Sequence, residues 1–169
     1  MENFEHEIIH RLERTPLILE AMLRGVCEEL LLHNEGENTW NTKQVLAHLV
    51  YMEQNNWCKK LGLLLNNTSC KTFDQYSVKQ QFQELVQKNS KQWLDEFIAI
   101  RTQSLQWLRQ AQLNKLPVDD VKGCLKQYGD ITLRELLSTW VAHDLTHIHQ
   151  ISRIIAKNFK EVIVLDLIA

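Results

Sequence analysis

Two histidines four residues apart, His143 and His147, with Asp144 between them, interrupt a stretch otherwise patterned for burial. From Leu133 to Ile155 the apolar residues fall at Leu133, Leu136, Leu137, Trp140, Ile148, Ile151, Ile154 and Ile155. That is a stripe at about 100° per residue and predicts an amphipathic helix. His147 projects near the middle of the stripe, with His143 and Asp144 at its two edges. Imidazoles at i and i+4 stack one above the other on one side of a helix. An apolar seam penalises unpaired polar groups, so the pair points to a bound partner, and a divalent metal ion suits imidazole best.

A third histidine, His48, lies on a second predicted stripe, between Val45 and Met52 and with Leu49 and Leu64 also inward. Three neutral imidazoles give a divalent ion three ligands at about 2.0–2.1 Å and leave positions for water or substrate, the form of a catalytic site. A metal-free set of buried, hydrogen-bonded histidines is the plainer alternative. His149 falls on the solvent side of its helix, and His6, His10 and His33 sit near the ends of the first helix with no patterned partner. The His-Asp-Leu-Thr-His run is one methylene away from the His-Glu-x-x-His of metalloproteases. Three features argue against that reading: the acid is one carbon short, no third ligand follows at a suitable distance, and no strand pattern lies upstream. Asp144 is expected to accept the second ring proton of a ligand imidazole, or else to pair with Arg101 or another cation. Arg101 is a candidate for holding an anionic group of a substrate, its alternative being an ion pair within the fold.

Helices must position these residues. Five Gly and two Pro in 169 residues, with almost no Val/Ile/Thr alternation, predict an all-α chain. The first helix has a start signal at Thr15-Pro16; an earlier start near Asn3 would make Pro16 a bend or restart inside it. It fades by His33 into a polar loop. The second starts after Trp40, capped by Asn41 or Thr42, and runs to about Leu65. An Asn-rich loop covers 66–74, a short helix 78–87, and a longer helix 91–113 carries Leu94, Ile98, Leu105 and Leu108 on the face of Arg101. Pro117 ends that element, Gly123 and Gly129 bracket a connection, and Thr132 with Glu135 forms a capping box for the last helix. Four long helices with mostly short links predict a four-helix bundle, read as a single domain over 1–169.

Bulk properties narrow the partners. The chain is 44% hydrophobic and 24% charged with a net charge of −2. With no Lys/Arg block, nucleic acid is not an expected partner. The N-terminus lacks the pattern of a signal peptide and no run is long enough to span a bilayer, so a cytoplasmic protein acting on a small molecule is expected. Cys27, Cys58, Cys70 and Cys124 are scattered and read as reduced, with Cys124 the most exposed. The apolar tail Val162–Ile168 is expected to cover the bundle or pack on a second subunit.

Three segments together resemble the DinB-like superfamily: Trp40 to Leu49 with Glu53 and Trp57; Trp93 to Phe97 with Arg101 and Leu105; and Ile131 to Ile151, including Trp140, His143, Asp144, His147 and Gln150. The resemblance spans about residues 15–158. It implies a four-helix bundle holding a divalent ion, zinc or nickel, on residues matching His48, His143 and His147. It also implies a homodimer. Branches of the group include bacillithiol S-transferases and mycothiol-dependent isomerases, so a low-molecular-weight thiol is an implied cofactor and thiol transfer to a small electrophile the implied reaction. A metal-dependent hydrolase and a non-catalytic metal-binding helical protein are the alternatives. One departure stands out: relatives carry a His-Pro pair before the last helix where this chain reads Gly123-Cys124-Leu125-Lys126-Gln127-Tyr128-Gly129. The departure bears on substrate and activity more than on fold.

Overall fold

The computed structural model describes residues 4–66, 82, 85–125 and 129–159. The Asn-rich loop, the short helix expected at 78–87, Cys70 and the apolar tail lie wholly or mostly outside the described residues. Helix α1 is Phe4–Leu23, followed by one turn, α2, at Glu28–Leu31. A long second helix comes in three parts: α3 at Thr42–Met52, a π turn at Glu53–Trp57, and α4 at Cys58–Leu65. Helix α5 is Ser90–Gln110 and α6 is Leu133–Asn158. Both α1 and α3 pack on α5 and on α6, so α5 and α6 face each other diagonally across a four-helix bundle.

The starts of the helices follow from capping chemistry. Asn41 accepts from the Gln44 N–H at 2.9 Å while Gln44 returns a bond to the Asn41 N–H. Asn89 with Gln92 and Thr132 with Glu135 repeat the arrangement, each satisfying backbone donors that a helix start leaves over. Gly25, at φ +87°, lies just past the end of α1 in the left-handed conformation that stops a helix.

Helix α1 passes through Pro16 without breaking. Proline has no N–H for the carbonyl four residues back, which here belongs to Leu12. That carbonyl instead accepts from Arg101 Nη1 at 3.0 Å. The start signal at Thr15-Pro16 therefore marks a mid-helix site rather than a helix end.

The connection before α6 is not wholly helical. Lys122–Leu125 (β1) and Gly129–Thr132 (β2) form a two-stranded antiparallel hairpin, with Gly123 opposite Ile131. A strand thus does lie upstream of the histidine helix, contrary to the sequence expectation. It ends about eleven residues before His143, or roughly 16 Å at 1.5 Å per residue, so it does not flank the histidines. Gly123 passes so close to Leu64 on α4 that a Cβ there would clash.

The core is two apolar clusters with a polar layer between them. One gathers Leu19, Leu46, Leu49, Phe97 and Ile151; the other gathers Leu12, Trp57, Leu61, Leu108 and Trp140. Thr15, His48, Glu53, Arg101 and Asp144 are buried at the level between.

Candidate metal centre

Helices α3 and α6 bring the three predicted histidines together. His48, His143 and His147 each offer a ring nitrogen, and these atoms lie within 4.8 Å of one another. The Nε2 atoms of His48 and His143 are 3.0 Å apart. Two ligands at about 2.0–2.1 Å on a tetrahedral ion stand roughly 3.4 Å apart, so the pair is within a few tenths of an ångström of ligand spacing. Without an ion, a single shared proton can satisfy that pair, and the third imidazole still faces it.

The outer hydrogen bonds favour lone pairs turned inward. Gln150 Oε1 accepts from His147 Nδ1 at 2.9 Å, which leaves the His147 Nε2 lone pair for the shared point. Burial, reinforced by the neighbouring His143, lowers the His147 pKa to about 4, so this ring is neutral at physiological pH. His143 Nδ1 is buried with no hydrogen-bond partner among the described residues. Three converging imidazoles, with His147 neutral and one nitrogen of His143 orphaned, make the kind of donor set a divalent ion takes.

Aromatic rings wall the cluster. Trp40 tilts against His48 at 5.0 Å and lies nearly parallel to His147 at 6.5 Å, with Phe82 edge-on to Trp40 at 5.4 Å. Trp57 meets His143 edge-on at 5.1 Å and stacks on Trp140 at 5.6 Å. In an unbroken α-helix, Trp57 would point about 180° away from His48. The wider π turn swings it round onto His143, the use such turns often have near functional sites.

Asp144 and Arg101 take their alternative roles and pair with each other rather than with a ligand ring and a substrate anion. Asp144 was expected to receive a ligand ring proton, but its Oδ1 is 3.9 Å from His143 Nδ1, beyond a hydrogen bond. Its carboxylate is gripped by Arg101 through Nη1 at 2.6 Å and Nη2 at 3.1 Å, and accepts from Thr15 Oγ1 at 2.8 Å. Burial works to raise the Asp144 pKa, but the Arg101 guanidinium, with the Thr15 hydroxyl, outweighs it and holds the carboxyl below its ordinary value. Arg101 is fully enclosed and packs over the rings of Phe97 and Trp140, which leaves it no route to a substrate anion. Its Nε donates to Glu53 Oε1. Burial pushes Glu53 up to about 7 against the pull of Arg101, and its Oε2 has no partner.

Asp144, not His147, is thus the most deeply buried polar residue of α6, because the helix turns one flank to α1 and α5 and the other to α3. His149 is exposed, as expected, and among the described cysteines Cys27 rather than Cys124 is the exposed one. Sequence reasoning did not assign site roles to Gln150, Trp40, Trp57 or Glu53. Only Gln150, three residues after His147, carried a local signal for its role.

The segment that departs from the family pattern lies apart from the histidines among the described residues. Gly123 packs on Leu64, roughly 24 Å along the second helix from His48 at 1.5 Å per residue.

No curated protein matches the chain. Among solved structures it is similar to YfiT from Bacillus subtilis, described as a probable metal-dependent hydrolase with an unusual four-helix bundle topology. The match has a TM-score of 0.74 at 18% identity and covers 90% of this chain and 86% of that one. At that identity the likeness speaks for the fold. The sequence matches the DinB superfamily over residues 11–151, a span that includes the C-terminal part of α1, the π turn and all three clustered histidines, and the chain belongs to that superfamily.

Proposed function

We propose that this protein is a metal-dependent enzyme that holds one divalent ion, zinc or nickel, on His48, His143 and His147 and transfers a low-molecular-weight thiol to a small electrophile. The observation that carries the reading is the convergence of three ring nitrogens within 4.8 Å, with two Nε2 atoms at 3.0 Å. A divalent ion bound there supplies the positive charge that keeps a thiol as thiolate, its nucleophilic form. The chain's own part is to present the imidazoles: burial keeps His147 unprotonated, and Gln150 fixes which of its nitrogens faces inward. Trp40 and Trp57 pack against the ligand rings, and Phe82 backs Trp40.

Hydrolysis is the second reading, favoured by the description of YfiT as a probable metal-dependent hydrolase. The two carboxylates that flank the ligands in sequence count against it. Glu53 and Asp144 are both committed to Arg101, so neither is placed as a general base for water. A thiol bound to a metal ion loses its proton without one. The family resemblance adds a homodimer to this reading, and the sequence pattern a cytoplasmic setting.

The test is metal content of the purified protein beside His143→Ala, followed by thiol consumption with small electrophiles. The expected result is about one ion per chain, lost in the variant together with turnover while the fold is retained. Turnover undiminished in His143→Ala would end the catalytic account.

A further inference from the structure

We propose that Arg101 is a positioning residue of the metal centre, setting the spacing of the two helices that carry its ligands. The proposal rests on the metal-binding reading above. Helix α5 supplies no imidazole to the cluster, yet its guanidinium is tied to both ligand helices. Through Nε it binds Glu53, five residues after His48 on the same continuous helix, and through Nη1 and Nη2 it binds Asp144, the neighbour of His143. The Leu12 carbonyl at 3.0 Å and Thr15, on Asp144 at 2.8 Å, extend the ties to α1. One planar group therefore touches, directly or through a carboxylate, every long helix of the bundle.

Planarity is what makes this a gauge. The guanidinium presents its donors in a rigid fork, and it packs over the rings of Phe97 and Trp140, its carbon 4.9 and 5.3 Å from their centroids. With the fork fixed, Glu53 and Asp144 have fixed positions, and so do the helix turns next to His48 and His143. A metal site tolerates only about 0.2 Å in its ligand distances, whereas apolar packing accepts larger adjustments at modest cost. Ion binding should therefore feel the loss of the fork more sharply than folding does. Buried ion clusters replaced whole by apolar side chains commonly leave stability unchanged or raised, which separates the two roles experimentally.

The experiment titrates cobalt(II) into metal-free protein, followed by its visible absorption bands, which report ligand geometry. Wild type is compared with Arg101→Lys and with the triple variant Arg101→Met, Glu53→Leu, Asp144→Leu, and each metal-free protein is melted alongside. The triple variant is expected to melt no lower than wild type yet to bind cobalt about 10–100-fold more weakly, the usual effect of removing support behind a ligand, with a changed spectrum. A folded triple variant with wild-type affinity and spectrum overturns the proposal, leaving the cluster as a structural tie only. Should the triple variant fail to fold, Arg101→Lys decides. It keeps the charge but not the fork, and weaker binding with a shifted spectrum supports the gauge while unchanged binding overturns it. Wild type that takes up no cobalt, zinc or nickel overturns the metal reading itself, and this proposal with it.

Discussion

The imidazole cluster and the Arg101 cluster share the middle layer of one bundle, yet they are satisfied in opposite ways. Around Arg101, charges of opposite sign meet: its guanidinium, Glu53, Asp144, Thr15 and the Leu12 carbonyl supply donors and acceptors to one another. The one oxygen left over, Glu53 Oε2, belongs to a carboxyl that burial pushes up to about 7, so a proton can settle the account there. Around His48, His143 and His147, like groups meet: three imidazoles bring ring nitrogens within 4.8 Å of one another, and His143 Nδ1 is left over among the described residues. A buried cluster that completes itself is structure. One made of groups that cannot complete each other asks for a visitor.

The largest test of that contrast is removal of a single partner on each side. Arg101→Met leaves two carboxyls buried without their cation and should lower stability by about 3–5 kcal/mol, read from the midpoint of urea unfolding. His147→Ala in metal-free protein should lose far less, since no charge is stranded. Equal losses would erase the distinction between the clusters.

Acid should act on the imidazole side. The His147 pKa in the folded protein, about 4, lies below its ordinary 6.5, so the unfolded chain takes up the proton first. The stability tied to its neutral form is complete above pH 6.5 and is lost as pH falls toward 4, by roughly 3 kcal/mol. Unfolding of the metal-free protein across that range should show the slope, and His147→Gln should flatten it. A slope untouched by His147→Gln would assign the titration elsewhere.

Smaller effects sharpen the comparison. Gln150→Leu should weaken zinc binding about 10–100-fold by calorimetry while moving metal-free stability by no more than about 1 kcal/mol. Thr15→Val should cost about 1 kcal/mol, because Asp144 keeps both bonds from Arg101. A loss from Thr15→Val as large as that from Arg101→Met would make Thr15, rather than the cation, the main support of Asp144.

The sequence made the ligands legible and their supports much less so. His48, His143 and His147 stood out because helical periodicity sorts polar from apolar faces within a single element. The start of the second helix and that of α6 were readable for a similar reason, since Asn41 with Gln44 and Thr132 with Glu135 interact over three residues. The partner of Asp144 lies 43 positions away, and no local pattern chooses between Arg101 and a ligand ring. The π turn was hidden because a stripe read at 100° per residue assumes an unbroken α-helix, which would turn Trp57 away from His48. The hairpin escaped because two four-residue strands are too short for alternation to show.

Pro16 has a consequence best put in the language of inheritance. Position 16 withholds an N–H, position 12 thereby keeps a carbonyl open, and position 101 takes it. The proline and the arginine are 85 positions apart, yet neither can change with an effect independent of the other. Pro16→Ala, which on most helices removes a defect, would here introduce a rival donor for the carbonyl that Arg101 uses. The two sites are therefore epistatic, and among descendants of this chain a substitution at 16 should be better tolerated where 101 has already changed.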